Sequence, residues 1–132
     1  MKKVENFTKV FLVIVGLAFL NVAIQAFINP QDVMDFVSVD LGNISARNST
    51  RAYYGGVNLT FSIFFFYGAF KKRKEALTIV ALYGGGFGIG RIYSILTEGV
   101  PSEFILTWLT IEIILTLIAL GLLKKLKQIS AV

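Results

Sequence analysis

Four apolar stretches, each about as long as a bilayer is thick, constrain this chain more than any motif in it. An α-helix rises about 1.5 Å per residue, so about 20 mostly apolar residues cross about 30 Å of hydrocarbon. The stretches cover residues 10–28, 52–70, 76–96 and 104–123. Asn29-Pro30 closes the first, because proline lacks an amide donor and restricts the residue before it. Pro101 precedes the fourth, where it suits a helix start. The spacing predicts an all-α membrane protein. Four transmembrane helices form an antiparallel bundle, a single domain over residues 1–132, with one long connection, the outer loop of residues 29–50. A chain that is 55% hydrophobic and 16% charged, with a mean hydropathy of +0.72, is too apolar for an ordinary soluble domain of this size.

Charge gives the orientation. Lys2, Lys3 and Lys9 precede the first span, Lys71, Lys72, Arg73 and Lys74 join the second to the third, and Lys124, Lys125 and Lys127 follow the fourth. These are ten of the 13 basic residues. Asp32, Asp35, Asp40, Glu98 and Glu103 lie in the opposite loops, so the positive-inside rule puts both termini in the cytoplasm. The net charge of +5 follows this topology; it forms no aromatic-interleaved basic surface, so no nucleic-acid partner is expected. The N-terminal apolar stretch reads as a span, since it exceeds the roughly 7–15 residues of a signal peptide and no clean small-x-small site follows. In the outer loop, "PQDVMDFVSVDLG" reads equally as a short interfacial helix or an irregular cap, and the sequons at Asn43 and Asn48 read as chance matches.

The chain has no cysteine and no histidine, which removes disulfides, zinc and haem ligation, and thiol or imidazole catalysis. No metal and no cofactor are expected. "GGGFGIGR", residues 84–91, resembles a phosphate loop, but it lies inside a span where every backbone amide needs an internal partner, so it reads as helix. Gly84/Gly88 and Gly86/Gly90 have small-xxx-small spacing, and Gly55 and Gly56 stand together in the second span. These six are the expected helix-packing positions. Gly84, Gly88, Arg91 and Ile95 share a helical face, a groove with the arginine at its outer end.

Arg91 carries the sharper inference. An unpaired charge in mid-membrane costs at least about 2.5–3.5 kcal/mol, so it faces inward and finds a counter-charge. Glu112 is the one acid inside a span, eight residues past Phe104 and hence about 12 Å deep. Arg91 lies six residues before Thr97, about 9 Å deep, so an Arg91–Glu112 ion pair is expected. Asn21 and Gln25 are four apart in the first span, and Arg51, Gly55, Asn58 and Ser62 share a face of the second. Asn21, Gln25, Arg51, Tyr54, Asn58 and Arg91 are therefore the candidate ligand-binding residues of a polar, net-positive pocket open to the outer side. The same side chains also read as structural glue, each interhelical hydrogen bond contributing about 0.6 kcal/mol. All three basic residues outside the cytoplasmic set, Arg47, Arg51 and Arg91, are arginines, the side chain suited to bidentate carboxylate or phosphate binding.

"RAYYGG", "GGFGIGRIYS", "EGVP" and a mid-span glutamate together resemble the small four-helix bacterial membrane proteins grouped only as a domain of unknown function, number four-three-four-five. The resemblance covers about residues 8–123 and rests on Arg51, Gly55, Gly56, Gly85, Gly86, Arg91, Gly99, Pro101 and Glu112. The tyrosines before Gly55 and the added glycine at 84 depart from it. It implies the fold and the bacterial inner membrane as location, and it brings no activity. The expectation is a protein that binds, or transports, an anionic or zwitterionic amphiphile or lipid, with membrane lipids as partners and self-association supplying any pathway. The alternative is an accessory or scaffold subunit of a larger membrane complex. An enzyme acting through Glu112 is disfavoured, for want of a second catalytic group.

Overall fold

The computed structural model describes residues 2–129, which are helical throughout their ordered elements, with no strand among them. The elements are α1 (Lys2–Ile28), α2 (Pro30–Asp35), α3 (Ile44–Thr50), a π-helix π1 (Arg51–Val57), α4 (Asn58–Phe70), α5 (Arg73–Glu98) and α6 (Glu103–Ile129). They group into two compact units, one of residues 9–71 and one of residues 2–8 with 72–129.

Three helices are long and apolar enough to cross a membrane: Lys2–Ile28, Arg73–Glu98 and Glu103–Gln128. Each extends past the apolar stretch expected from the sequence. Hydrophobicity marks the part that suits lipid, whereas helical hydrogen bonding continues through Lys2–Lys9 and Lys124–Gln128. The stretch expected as the second span is helical too, but it is not one regular α-helix. It is divided into the seven-residue π1 and the 13-residue α4, and neither piece alone reaches across a bilayer. The backbone stays in the right-handed helical region through both junctions, at Thr50, Arg51, Val57 and Asn58.

In the 9–71 unit, α1 ends where Pro30 cannot donate, and Asn29 turns extended to cap α2 by accepting from the Gln31 amide at 3.3 Å. Gln31 then ties the following turn together. Its Nε2 donates to the Val39 carbonyl at 2.9 Å and its Oε1 accepts from the Leu41 amide at 2.9 Å. Asn43 caps α3 through the Ala46 amide at 2.8 Å. The long connection of residues 29–50 is thus largely built from two short capped helices.

Positions that ascend along α1 meet positions that descend along α4 and π1. Lys9 Nζ lies 4.4 Å from the Phe70 ring centre, Ser62 Oγ donates to the Gly16 carbonyl at 2.8 Å, and Phe27 covers Gly55. Phe19 sets its edge against Phe61 and Phe65, with centroids 5.9 and 5.1 Å apart. The other unit pairs α5 with α6. Gly99 ends α5 at φ 104°, a conformation that excludes side chains other than glycine's in practice, and so permits the tight connection through Pro101 to Glu103.

Candidate functional site

Two polar centres stand out, one in each unit. In the α5–α6 unit, Arg91 and Glu112 form a bidentate pair: Nε donates to Oε2 at 2.7 Å and Nη2 to Oε1 at 2.9 Å. Their side chains are 21% and 13% exposed. The fork geometry fixes the guanidinium by one edge and leaves Nη1 and the outer hydrogen of Nη2 facing away from the carboxylate. Arg91 also lies 5.7 Å from the Phe87 ring centre, which adds a cation–π contact on the same helix.

Two turns before Arg91 in α5, Gly84 packs tightly against α6. A Cβ there would stand 2.5 Å from Thr116 Oγ1 and 3.2 Å from the Glu112 carbonyl oxygen. Thr116 Oγ1 is held in place by donating to that same carbonyl at 2.7 Å. The contact therefore needs glycine, and it sits one turn of α6 from the ion pair. Close approach is confined to some of the glycines expected to pack. Gly55 receives the Phe27 ring, 3.2 Å from where its Cβ would be, whereas a Cβ at Gly56, Gly86, Gly88 or Gly90 would meet nothing within 4 Å. At those four the sequence spacing is present without a tight neighbour, because small residues permit close packing but do not compel it.

In the 9–71 unit the polar centre lies where π1 meets the end of α1. Arg51, the first residue of π1, donates from Nε to the Phe27 carbonyl at 3.4 Å. Arg47 donates from Nη2 to Asn29 Oδ1 at 3.1 Å. Tyr54 packs edge-on against Tyr53, centroids 5.1 Å apart. Asn58 is buried, but its Nδ2 is spent within its own turn on the Tyr54 carbonyl at 2.9 Å. Gln25 is half-buried and Asn21 exposed, and neither amide makes a hydrogen bond inside the unit. The structure thus brings Arg91 to Glu112 and Arg51 to the end of α1, and leaves Asn21 and Gln25 free of both. Asn29 and Thr116 were not among the candidate site residues read from the sequence, and Arg47 was noted there only as one of three arginines outside the basic clusters. The i, i+4 spacing of Arg47 and Arg51 was visible there, but their convergence on residues 27–29 depends on the chain reversal at Pro30.

A comparison with protein families matches residues 7–123 to a domain of unknown function, DUF4345. The chain belongs to that family. No curated protein and no solved structure matches it. The matched segment takes in both polar centres, so Arg51, Arg91 and Glu112 all lie within the family domain.

Proposed function

We propose that this DUF4345 protein is a four-span membrane protein that binds an anionic or zwitterionic amphiphile through arginines set in or beside its spans. The observation that carries the reading is the Arg91–Glu112 pair. A carboxylate that engages only one edge of the guanidinium holds it in place and neutral as a pair, while the free edge can accept a second anionic group without another counter-charge. Arg51 offers the same chemistry without an acid of its own, with Tyr54 beside it in sequence and Gln25 as a further donor. Glu112 does not touch the guest, which it would repel.

The fourth span in this reading is the continuous helical run from Ile44 to Phe70, π1 and α4 being its lipid-embedded part. The four spans run antiparallel as one domain, both termini are cytoplasmic, and the protein resides in a bacterial inner membrane. Single cysteines placed at Ser38 and Lys72 in this cysteine-free chain then label from opposite sides with an impermeant reagent. Labelling from one side overturns the topology.

The binding experiment is thermal. Oleate, added to the purified protein in neutral detergent, raises the melting temperature of the wild type, and the rise shrinks in folded Arg51→Gln and Arg91→Gln variants. An unchanged wild-type melting temperature rejects the reading. A second reading, a self-associating or accessory subunit, draws on Asn21 and Gln25. Two amides four residues apart on a spanning helix, unbonded within their unit, are suited to hydrogen-bond a neighbouring helix.

A further inference from the structure

Arg47 and Arg51 reach the same short piece of backbone. One is gripped by Asn29 Oδ1 and the other by the Phe27 carbonyl, so two guanidinium groups converge on the C-terminal end of α1. Each is held by a single nitrogen. Its remaining N–H groups have no partner in the unit, and neither arginine makes an ion pair there. Of the three acids in the preceding loop, Asp32 accepts from Asn29 Nδ2 at 2.5 Å and Asp35 from Gln31 Nε2 at 2.7 Å, and Asp40, the nearest in sequence, forms no ion pair with either arginine. The carbonyl end of α1 attracts both cations but is a partial charge of only about −0.5, against two full positive charges. A site of this kind is completed by an anion with several acceptor oxygens.

The surroundings indicate which anion. Ile28, at the end of α1, and Ile44, at the start of α3, are 75% and 86% exposed, and Phe27 and Tyr53 are exposed as well. Partly exposed apolar side chains and a tyrosine close in sequence to two arginines and their partners match the level of a bilayer where acyl chains give way to head groups. Planar forks suit phosphate oxygens better than point charges do.

We infer that Arg47 and Arg51 together bind the phosphate of a membrane phospholipid, with Asn29 and the end of α1 as the rigid mount. The inference rests on the reading that Arg51 meets an anionic head, and it adds a second arginine and a phosphate class. The mount is built by the loop itself. Asn29 caps α2, holds Asp32 and orients Arg47 with one side-chain amide.

The test titrates the full-length protein in neutral detergent with phosphatidylglycerol, oleate and inorganic phosphate, reading apparent Kd from the thermal shift. Wild type binds phosphatidylglycerol, and Arg47→Gln and Arg51→Gln each weaken it about tenfold or more, as expected for a lost charged hydrogen bond. Oleate binding falls in Arg51→Gln and is unchanged in Arg47→Gln. If phosphatidylglycerol binding is untouched by Arg47→Gln while oleate still depends on Arg51, the phosphate site is wrong and the proposed function stands. If neither lipid binds, both fall. Inorganic phosphate that matches phosphatidylglycerol at equal concentration, and depends on Arg47, overturns the lipid assignment in favour of free phosphate. Should Arg47→Gln fail to fold, Arg47→Lys decides, since it keeps the charge and loses the fork; undiminished phosphatidylglycerol affinity in that variant also overturns the proposal.

Discussion

The two helix seams of this protein are built on different chemistry. The seam between α5 and α6 is centred on a charge pair and one obligatory glycine, Arg91–Glu112 above Gly84–Thr116. The seam between α1 and α4 is centred on aromatic rings, with Phe19 edge-on to Phe61 and Phe65, and with the Ser62–Gly16 hydrogen bond as a buried polar link. A deep arginine needs its own acid, and that requirement fixes which turn of α5 meets which turn of α6. Rings impose no such demand, and their seam ends at α3 and π1, whose Arg47 and Arg51 form no ion pair in the unit. The partly buried charge of the α5–α6 pair is neutralised within the pair, whereas Arg47 and Arg51 form no ion pair in their unit.

The largest effect that separates the seams is expected at Glu112. Glu112→Gln leaves Arg91 buried without its counter-charge and costs about 3–5 kcal/mol in unfolding measured in detergent, and Arg91→Gln costs a similar amount. The double variant recovers most of that loss. Strictly additive losses would mean that the pair does not set the register of α5 on α6.

A second, smaller contrast lies within α5. Gly84→Ala drives its methyl into Thr116 Oγ1 and is expected to cost about 1–3 kcal/mol, while adding Thr116→Ala relieves the clash and restores part of the stability. Gly88→Ala meets no atom and is expected to be neutral or to stabilise by up to about 1 kcal/mol through helix propensity. Equal losses at the two positions would contradict the account of the seam.

Much of this was legible in the sequence, for physical reasons that differ by residue. Arg91 and Glu112 were matched by depth alone, because helical rise is fixed and the connection through Gly99 and Pro101 is short. The helices over 10–28, 76–96 and 104–123 followed from hydrophobicity, but their longer ends did not, since Lys2–Lys9 and Lys124–Gln128 carry helix-compatible side chains that no apolar criterion registers. The extension of the second helical run back to Ile44 had a signal in Asn43, a capping residue, which the polar composition of the loop obscured. The π-helix had none: Arg51–Val57 differs from an α-helix by which carbonyl each amide selects, a choice that side-chain periodicity does not register. The Arg47–Asn29 contact required the loop geometry that Gln31 enforces.

The smallest of these effects is expected at the buried polar link of the aromatic seam. Ser62→Ala removes the hydrogen bond to the Gly16 carbonyl and should cost about 0.6 kcal/mol, well below the ion-pair variants. A loss as large as that of Glu112→Gln would erase the distinction between the seams.

The central claim is that the guanidinium edge of Arg91 left over by Glu112, and Arg51 without an ion-pair partner, hold an anionic amphiphile, and native mass spectrometry of the gently solubilised protein tests it most directly. The account predicts that the wild type carries a bound anionic lipid through desolvation and that Arg51→Gln and Arg91→Gln, purified in parallel, retain less of it. Wild-type protein that emerges free of lipid under conditions that preserve its fold, or that retains lipid equally in all three forms, would contradict it.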